Sequence, residues 1–357
     1  FLAPLSHIAA RLHAIGNPNC PSRMQFDEAF KSWSKVASHL GGYMFNGNLA
    51  ENTVPFSMIS VWKHDLPYFK EKGLETVTFE TWGGWEICGP HIYLSARLAY
   101  DPKADAEKIM DDYFMKFFGS KAGPFMKEYW MGIDQAFANL KCHSGGFFSL
   151  PLVYTPEFLA KCQNLLDKAV TEAREDKTYS ARVAMHAEGF KNAAQYRQIF
   201  DAMNRGDFVE AKKVYDGLST RAGEHVKAGY GSQVTVDWLV RFLRGPVEAG
   251  AKAVALPNKV VQVLSAKWCW MRVESDAPPR IEGATVPESQ DIGIQNGWHQ
   301  PDFDDSSWRT VATWSKTLDA QGIQDKPTVM WYRTSFQVPE QHGKLTLFFS
   351  EIDGIAE

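Results

Sequence analysis

Long runs of helix-spaced apolar residues fill the middle of the chain and constrain its fold most. Ala106, Ile109, Met110, Tyr113, Phe114, Phe117 and Phe118 recur at i, i+3 and i+4, and Gly119 ends the run. Phe125, Met126, Tyr129, Trp130, Ile133 and Phe137 predict a second helix. The stretch "TPEFLAKCQNLLDKAV" predicts a third, with Thr155 as N-cap and Pro156 in the first helical position. Asp207 and Glu210 have the spacing of a capping box for a helix carrying Phe208, Ala211, Val214 and Leu218. "DWLVRFLRGPVEAG" closes the block. The helices differ in length and spacing, so they do not form a repeat. Residues 101–256 therefore read as a helical domain.

The flanks follow different periods. In residues 1–100, three short strands are expected, at Phe1–Leu5, Gly42–Asn46 and Glu75–Glu80, with helical patterns between them. One of these patterns carries Phe26, Ala29, Phe30, Trp33, Val36 and Ala37; another carries Val61, Trp62, Leu66 and Phe69, with Gly73 as its C-cap. Strand–helix alternation implies a parallel sheet. The third strand would turn Val77 and Phe79 to one side and Thr76, Thr78 and Glu80 to the other. A polar inner face opposite an apolar, helix-facing one suits a barrel rim better than an open sheet buried on both sides. Beyond Pro257, "KVVQVL", "WCWMRVE", "MWYRTSFQVP" and "KLTLFFSEI" read as strands between turn-rich segments, as in an antiparallel sandwich. Trp268, Trp270, Trp308, Trp331 and Tyr332 are expected in its core. The expected class is thus α/β, then α, then β: a barrel-like α/β region over 1–100, a helical domain over 101–256, and an antiparallel β-sandwich over 257–357.

Composition narrows the function classes. The net charge of −4 gives no support to a nucleic-acid or anionic-membrane surface. No apolar run is long enough for a membrane span. The five cysteines are scattered without a C-x-x-C pair, which argues against a disulfide framework. The histidines show no H-E-x-x-H spacing, so no metal is expected, and His186 reads as a structural or surface residue. "GWEICGPH" has the glycines of a phosphate loop at Gly84 and Gly89, but Pro90 and His91 stand where Lys and Ser/Thr belong. "CHSGG" around Ser144 is not a nucleophile elbow, and no G-x-G-x-x-G follows a strand. No cofactor is expected.

One constellation is left. Glu80 falls at the C-terminal end of a strand, where barrels of this kind place their chemistry. Trp82 and Trp85 follow it on a glycine-rich turn, and Tyr43, Asn46 and Asn48 fall near the end of the preceding strand. His7 follows the first strand. Sugars present apolar C–H faces to indoles and a rim of hydroxyls to amides and carboxylates, and glycosidases need two carboxylates about the scissile bond. Glu80 is the catalytic candidate; Trp82, Trp85, Tyr43, Asn46, Asn48 and His7 are candidates for binding substrate. The alternative is structural: Glu80 as an acid paired with Arg97 or a lysine, and the two indoles as plugs beneath the helical block. Glu86 reads as a solvated loop charge.

The order of parts adds a resemblance. "HDLPYFKEKGLETVTFETWGGW", "YLSARLAYDP" and "FFGSKAGPFMKEY" resemble domain of unknown function 4838, a family similar to alpha-glucuronidases and beta-hexosaminidases. The resemblance implies an O-glycoside hydrolase of an exported bacterial protein, periplasmic or extracellular, with a carbohydrate as its partner. "PDFDDSSWRTV", "MWYRTSFQVP" and "LFFSEIDGIAE" are similar to the galactose-binding-like sandwich of family 2 glycoside hydrolases, which usually supports the enzyme. On this resemblance residues 1–100 are expected to be the C-terminal part of a (β/α)8 barrel and 257–357 an incomplete, jelly-roll-like β-sandwich, and the chain is expected to be truncated at both ends and inactive by itself. A non-catalytic carbohydrate-binding or scaffolding protein with a degenerate barrel is the other reading.

Overall fold

The computed structural model describes residues 13–18, 20–46, 54–81, 84–140, 146–229, 243–255, 264, 267–272, 292–313, 321–323, 330–338, 340, 343, 345 and 347. They fall into two compact units, one within residues 1–256 and one within 257–347. No described helix is long and apolar enough to cross a membrane.

The first unit begins with the expected alternation. Helix α1 (Pro21–Trp33) leads to strand β1 (Gly41–Phe45), α2 (Ile59–Glu71), β2 (Thr76–Glu80) and α3 (Trp85–Tyr100). The strands pair in parallel, with Gly41 opposite Thr76 and Phe45 opposite Glu80. Phe79 meets Trp62 of α2 edge-on at 5.3 Å, and Met44 is buried on the same side of the sheet. The apolar side of the strand alternation therefore faces the helix, as its period requires. The helix predicted across Phe26–Ala37 stops at Trp33, leaving Val36 exposed. A buried ion pair between Arg23 of α1 and Asp65 of α2 joins these helices, and Asp65 also accepts the Ile15 amide at 2.9 Å. Among the described residues the sheet has two strands and no closed barrel. The expected Phe1–Leu5 strand lies outside the described residues.

The helical block follows: α4 (Ala106–Ala138), α5 (Gly146–Val153), α6 (Pro156–Ala173), α7 (Lys177–Asn204), α8 (Phe208–Lys227) and α9 (Gly245–Ala255). Thr155 caps α6 by accepting from the Phe158 amide at 3.2 Å, with Pro156 beside it. Only one arm of the expected capping box forms on α8. Asp207 accepts from the Glu210 amide at 3.0 Å, but its own N–H is donated to the Ala202 carbonyl at 2.9 Å. Glu210 pairs with Lys213 instead.

The two predicted helices on either side of Gly119 are one kinked rod, α4. Gly119 alone leaves helical geometry, at φ 81° and ψ 162°, and the helix resumes at once. That region of backbone space is essentially closed to residues with a Cβ, and a Cβ here would stand 2.6 Å from the Tyr179 ring of α7. Gly119→Ala is expected to destabilise the protein by about 3 kcal/mol, from backbone strain together with overpacking. Urea titration of the two proteins measures it, and an unchanged midpoint would remove Gly119 as the cause of the kink. Around the kink, Tyr113, Phe114, Phe117 and Phe118 pack into a continuous aromatic cluster. Tyr113, Phe114 and Phe118 are buried, each contributing about 1.5–3 kcal/mol, while Phe117 is half-buried.

Three of the four described cysteines, Cys20, Cys88 and Cys162, are buried, and burial pushes the Cys162 thiol up to about 12.

In the second unit, β3 (Lys267–Arg272) lies between β4 (Arg309–Ala312) and β5 (Met330–Arg333), antiparallel to both. This is one three-stranded sheet; the second layer of a sandwich is absent among the described residues. "KVVQVL" and "KLTLFFSEI" lie largely outside them. Trp308 is buried as expected, whereas Tyr332 is exposed. The centre of the cluster is Trp298, packed edge-on against Trp308 at 5.1 Å and Trp331 at 6.0 Å. Arg333 fastens the turn carrying it, bonding Asp305 at 2.9 Å and donating to the carbonyls of Trp298 and Gln300.

Candidate functional site

The parallel register sets Tyr43 and Glu80 on the same face of the sheet, the one turned away from α2. There the Tyr43 hydroxyl donates to Glu80 Oε2. This bond, with the carboxylate's charge, raises the Tyr43 phenol above its ordinary value, so the phenol keeps the proton that orients Glu80. Phe45 stands edge-on to Tyr43 at 5.5 Å, an apolar shoulder at the same strand end. Glu80 is half-buried, and Arg97, the partner considered for it, donates to Tyr93.

Asn46 occupies a different environment from the open rim expected of it. Only 2% of it is exposed. Its amide nitrogen donates to Ser95 Oγ at 2.8 Å, and its amide oxygen accepts from Trp62 Nε1 at 2.8 Å. Its backbone N–H reaches the Glu80 carbonyl at 2.7 Å, and its carbonyl accepts from His91 Nε2 at 2.9 Å. The residue ties the strand ends to α2 and α3 from within the core. A buried amide with every group paired is a structural node.

Trp85 opens α3, and its indole packs over Gly89, where a Cβ would stand 2.7 Å from the ring. The indole N–H donates to the Tyr113 hydroxyl at 3.2 Å, and the ring leans on Phe117 at 6.2 Å. Trp85 is half-buried, with one part of its ring against the helical block. Gly89 thus serves ring packing. Trp82, Asn48 and His7 lie outside the described residues.

Glu86 requires a correction. It is no solvated loop charge: it is 4% exposed, in the first turn of α3. Its carboxyl folds back onto Gly84, where an added Cβ would stand 2.0 Å from it. Burial raises its pKa from the ordinary 4.5 to about 7. The first half of α3, "WEICGPHI", contains a single acid and one histidine among small and apolar residues, and every residue from Glu86 to His91 is buried. That composition was the available signal, because a helix turn without a polar face has no solvated side on which to place a charge. His186 of α7 is also buried, with Nδ1 3.1 Å from the Glu86 carbonyl, and burial lowers it to about 3. His91 is lowered to about 4 by the same cause.

Residues 4–131 match the family model described as Domain of unknown function (DUF4838). The matched span includes both strands, the Tyr43–Glu80 pair, the Asn46 node and Glu86. No curated protein and no solved structure matches the chain.

Proposed function

We propose that the protein belongs to a glycoside hydrolase in which Glu80, held by Tyr43, is one of the two carboxyl groups that cleave an O-glycosidic bond. The observation that carries this reading is the Tyr43–Glu80 bond at the C-terminal ends of adjacent parallel strands. Strand ends of that kind converge on the active site in (β/α)8 enzymes. A phenol donated to a carboxylate fixes its direction, which suits a nucleophile or base that must meet the anomeric carbon or a water in line. Tyr43 acts here as a positioning residue. The polysaccharide substrate, the export of the protein and the supporting role of the C-terminal unit rest on the resemblance alone.

One observation favours the non-catalytic reading. Asn46 and Trp85 are taken up by packing, and Glu86 lies within the helix layer. Among the described residues the strand ends thus present a single carboxylate, which suits binding more than hydrolysis.

The two readings separate on a panel of aryl glycosides and plant oligosaccharides given to the full product of the gene. Hydrolysis is expected. Glu80→Gln should lower kcat/KM about a thousandfold, equivalent to roughly 4 kcal/mol, and Tyr43→Phe should lower kcat with little change in KM. Oligosaccharide binding without turnover, unaltered in Glu80→Gln, would overturn hydrolysis in favour of the binding protein.

A further inference from the structure

The contact between α3 and α7 is close and depends on a glycine. A Cβ on Gly189 would stand 2.8 Å from the Glu86 carbonyl oxygen and 3.2 Å from the Glu86 side chain. His186, one turn earlier on α7, reaches the same carbonyl with Nδ1. The Glu86 side chain leaves this contact with its Cγ beside Gly189 and folds its carboxyl back over Gly84, and there its Oε2 has no hydrogen-bond partner. Among the described residues no Lys, Arg or His side chain pairs with it.

A carboxylate cannot keep its charge in such a place without penalty. Among the described residues it has no cation partner and its Oε2 has no donor, and the residue is only 4% exposed. A neutral carboxylic acid fits the same volume. We propose that the α3–α7 contact is a proton-controlled joint, closed while the Glu86 carboxyl holds its proton and loosened when that proton leaves.

Among the described residues around the joint, the other titratable groups do not change charge near neutral pH. On α3, burial raises the Cys88 thiol far above its ordinary value. On α7, His186 is already neutral well below pH 6, and the Arg182 guanidinium lies over the Phe117 ring and donates to the Phe117 carbonyl. On α4, burial raises the Tyr113 phenol. On the segment before α2, the contact is the Phe56 amide with the Ile87 carbonyl at 2.8 Å. The joint lies on the helix that follows Glu80 in the chain, and it stands whether or not the protein cleaves a sugar.

Native-state amide exchange in peptides covering 85–91 and 183–190 tests it, after correction for the intrinsic pH dependence of exchange. The local opening constant is expected to rise about tenfold per pH unit from near pH 5 to near pH 7 and then level off, because the opened Glu86 ionises at its ordinary value. Glu86→Gln should make the opening constant independent of pH over that range. A flat wild-type profile, or a rise that persists in Glu86→Gln, would overturn the proposal. Should the variant not fold, the infrared carboxyl band of the wild-type protein decides. Loss of a protonated-carboxyl band around pH 7 supports the joint; its absence already at pH 6 overturns it.

Discussion

Acidification from pH 7 to pH 4 is expected to remove several kcal/mol of stability, through His186 and His91. Both side chains are buried and neutral in the fold, with pKa values lowered from 6.5 to about 3 and about 4 by loss of solvent. Above pH 6.5 neither state binds the proton, and the fold keeps its full stability. Below it the unfolded chain takes up protons that the folded chain refuses, so stability falls until the folded values are reached. At pH 4 the two histidines together cost about 6 kcal/mol. Glu86 works in the opposite direction: its folded pKa is raised to about 7, so protonation of the unfolded chain lags behind that of the fold. Over the same interval it returns about 3 kcal/mol, too little to cancel the histidines. A net loss of about 3 kcal/mol is a large part of a typical domain's stability. Urea midpoints at pH 7, 5 and 4 measure the loss, and His186→Gln should flatten the acid limb. Equal stability at pH 7 and pH 4 would contradict the burial of these rings.

Replacement of Asn46 by leucine is the second large effect expected. The substitution keeps the volume and removes both side-chain hydrogen bonds. Ser95 loses little, because its hydroxyl still donates to the Ile92 carbonyl at 2.9 Å. Trp62 loses its acceptor, and its indole is only 3% exposed. An unpaired buried N–H costs about 1–3 kcal/mol, and with the lost amide bonds the total should reach about 3 kcal/mol. A double-mutant cycle with Trp62→Phe isolates the indole bond, since the phenyl ring needs no acceptor. Coupling of about 1–2 kcal/mol is expected between the positions. Additive effects would show that the bond contributes nothing.

The sequence carried the elements better than their surroundings. Period-2 alternation in Thr76–Glu80 placed Phe79 toward a helix and Glu80 away from it, and the fold agrees, because a strand has only two faces to offer. Thr155–Pro156 marked a helix start for a similarly local reason. Gly119 was legible as an interruption but not as a kink: whether a helix ends or resumes past a glycine depends on what packs beside it, here Tyr179 from sixty residues away. The candidate site was less legible for the same reason. Asn46 and Trp85 are polar-tipped residues next to strand ends, and nothing local tells an amide that faces solvent from one enclosed by Ser95, Trp62 and His91. Glu86 depended on α7, which approaches only because residue 189 is a glycine.

The buried thiols have a practical consequence. Cys20 precedes α1, Cys88 lies in α3 and Cys162 in α6, and all three are shielded from solvent. The thiolate is the reactive form, so a thiol held protonated in the interior reacts with a labelling reagent only when its own neighbourhood opens. The natural sequence therefore carries a reporter in each of three regions of one unit. Thiol labelling followed by peptide mapping would rank the regions by their opening free energies with no engineered probe. Cys88, two residues beyond Glu86 on the same helix, would gain reactivity with rising pH faster than thiolate formation alone provides.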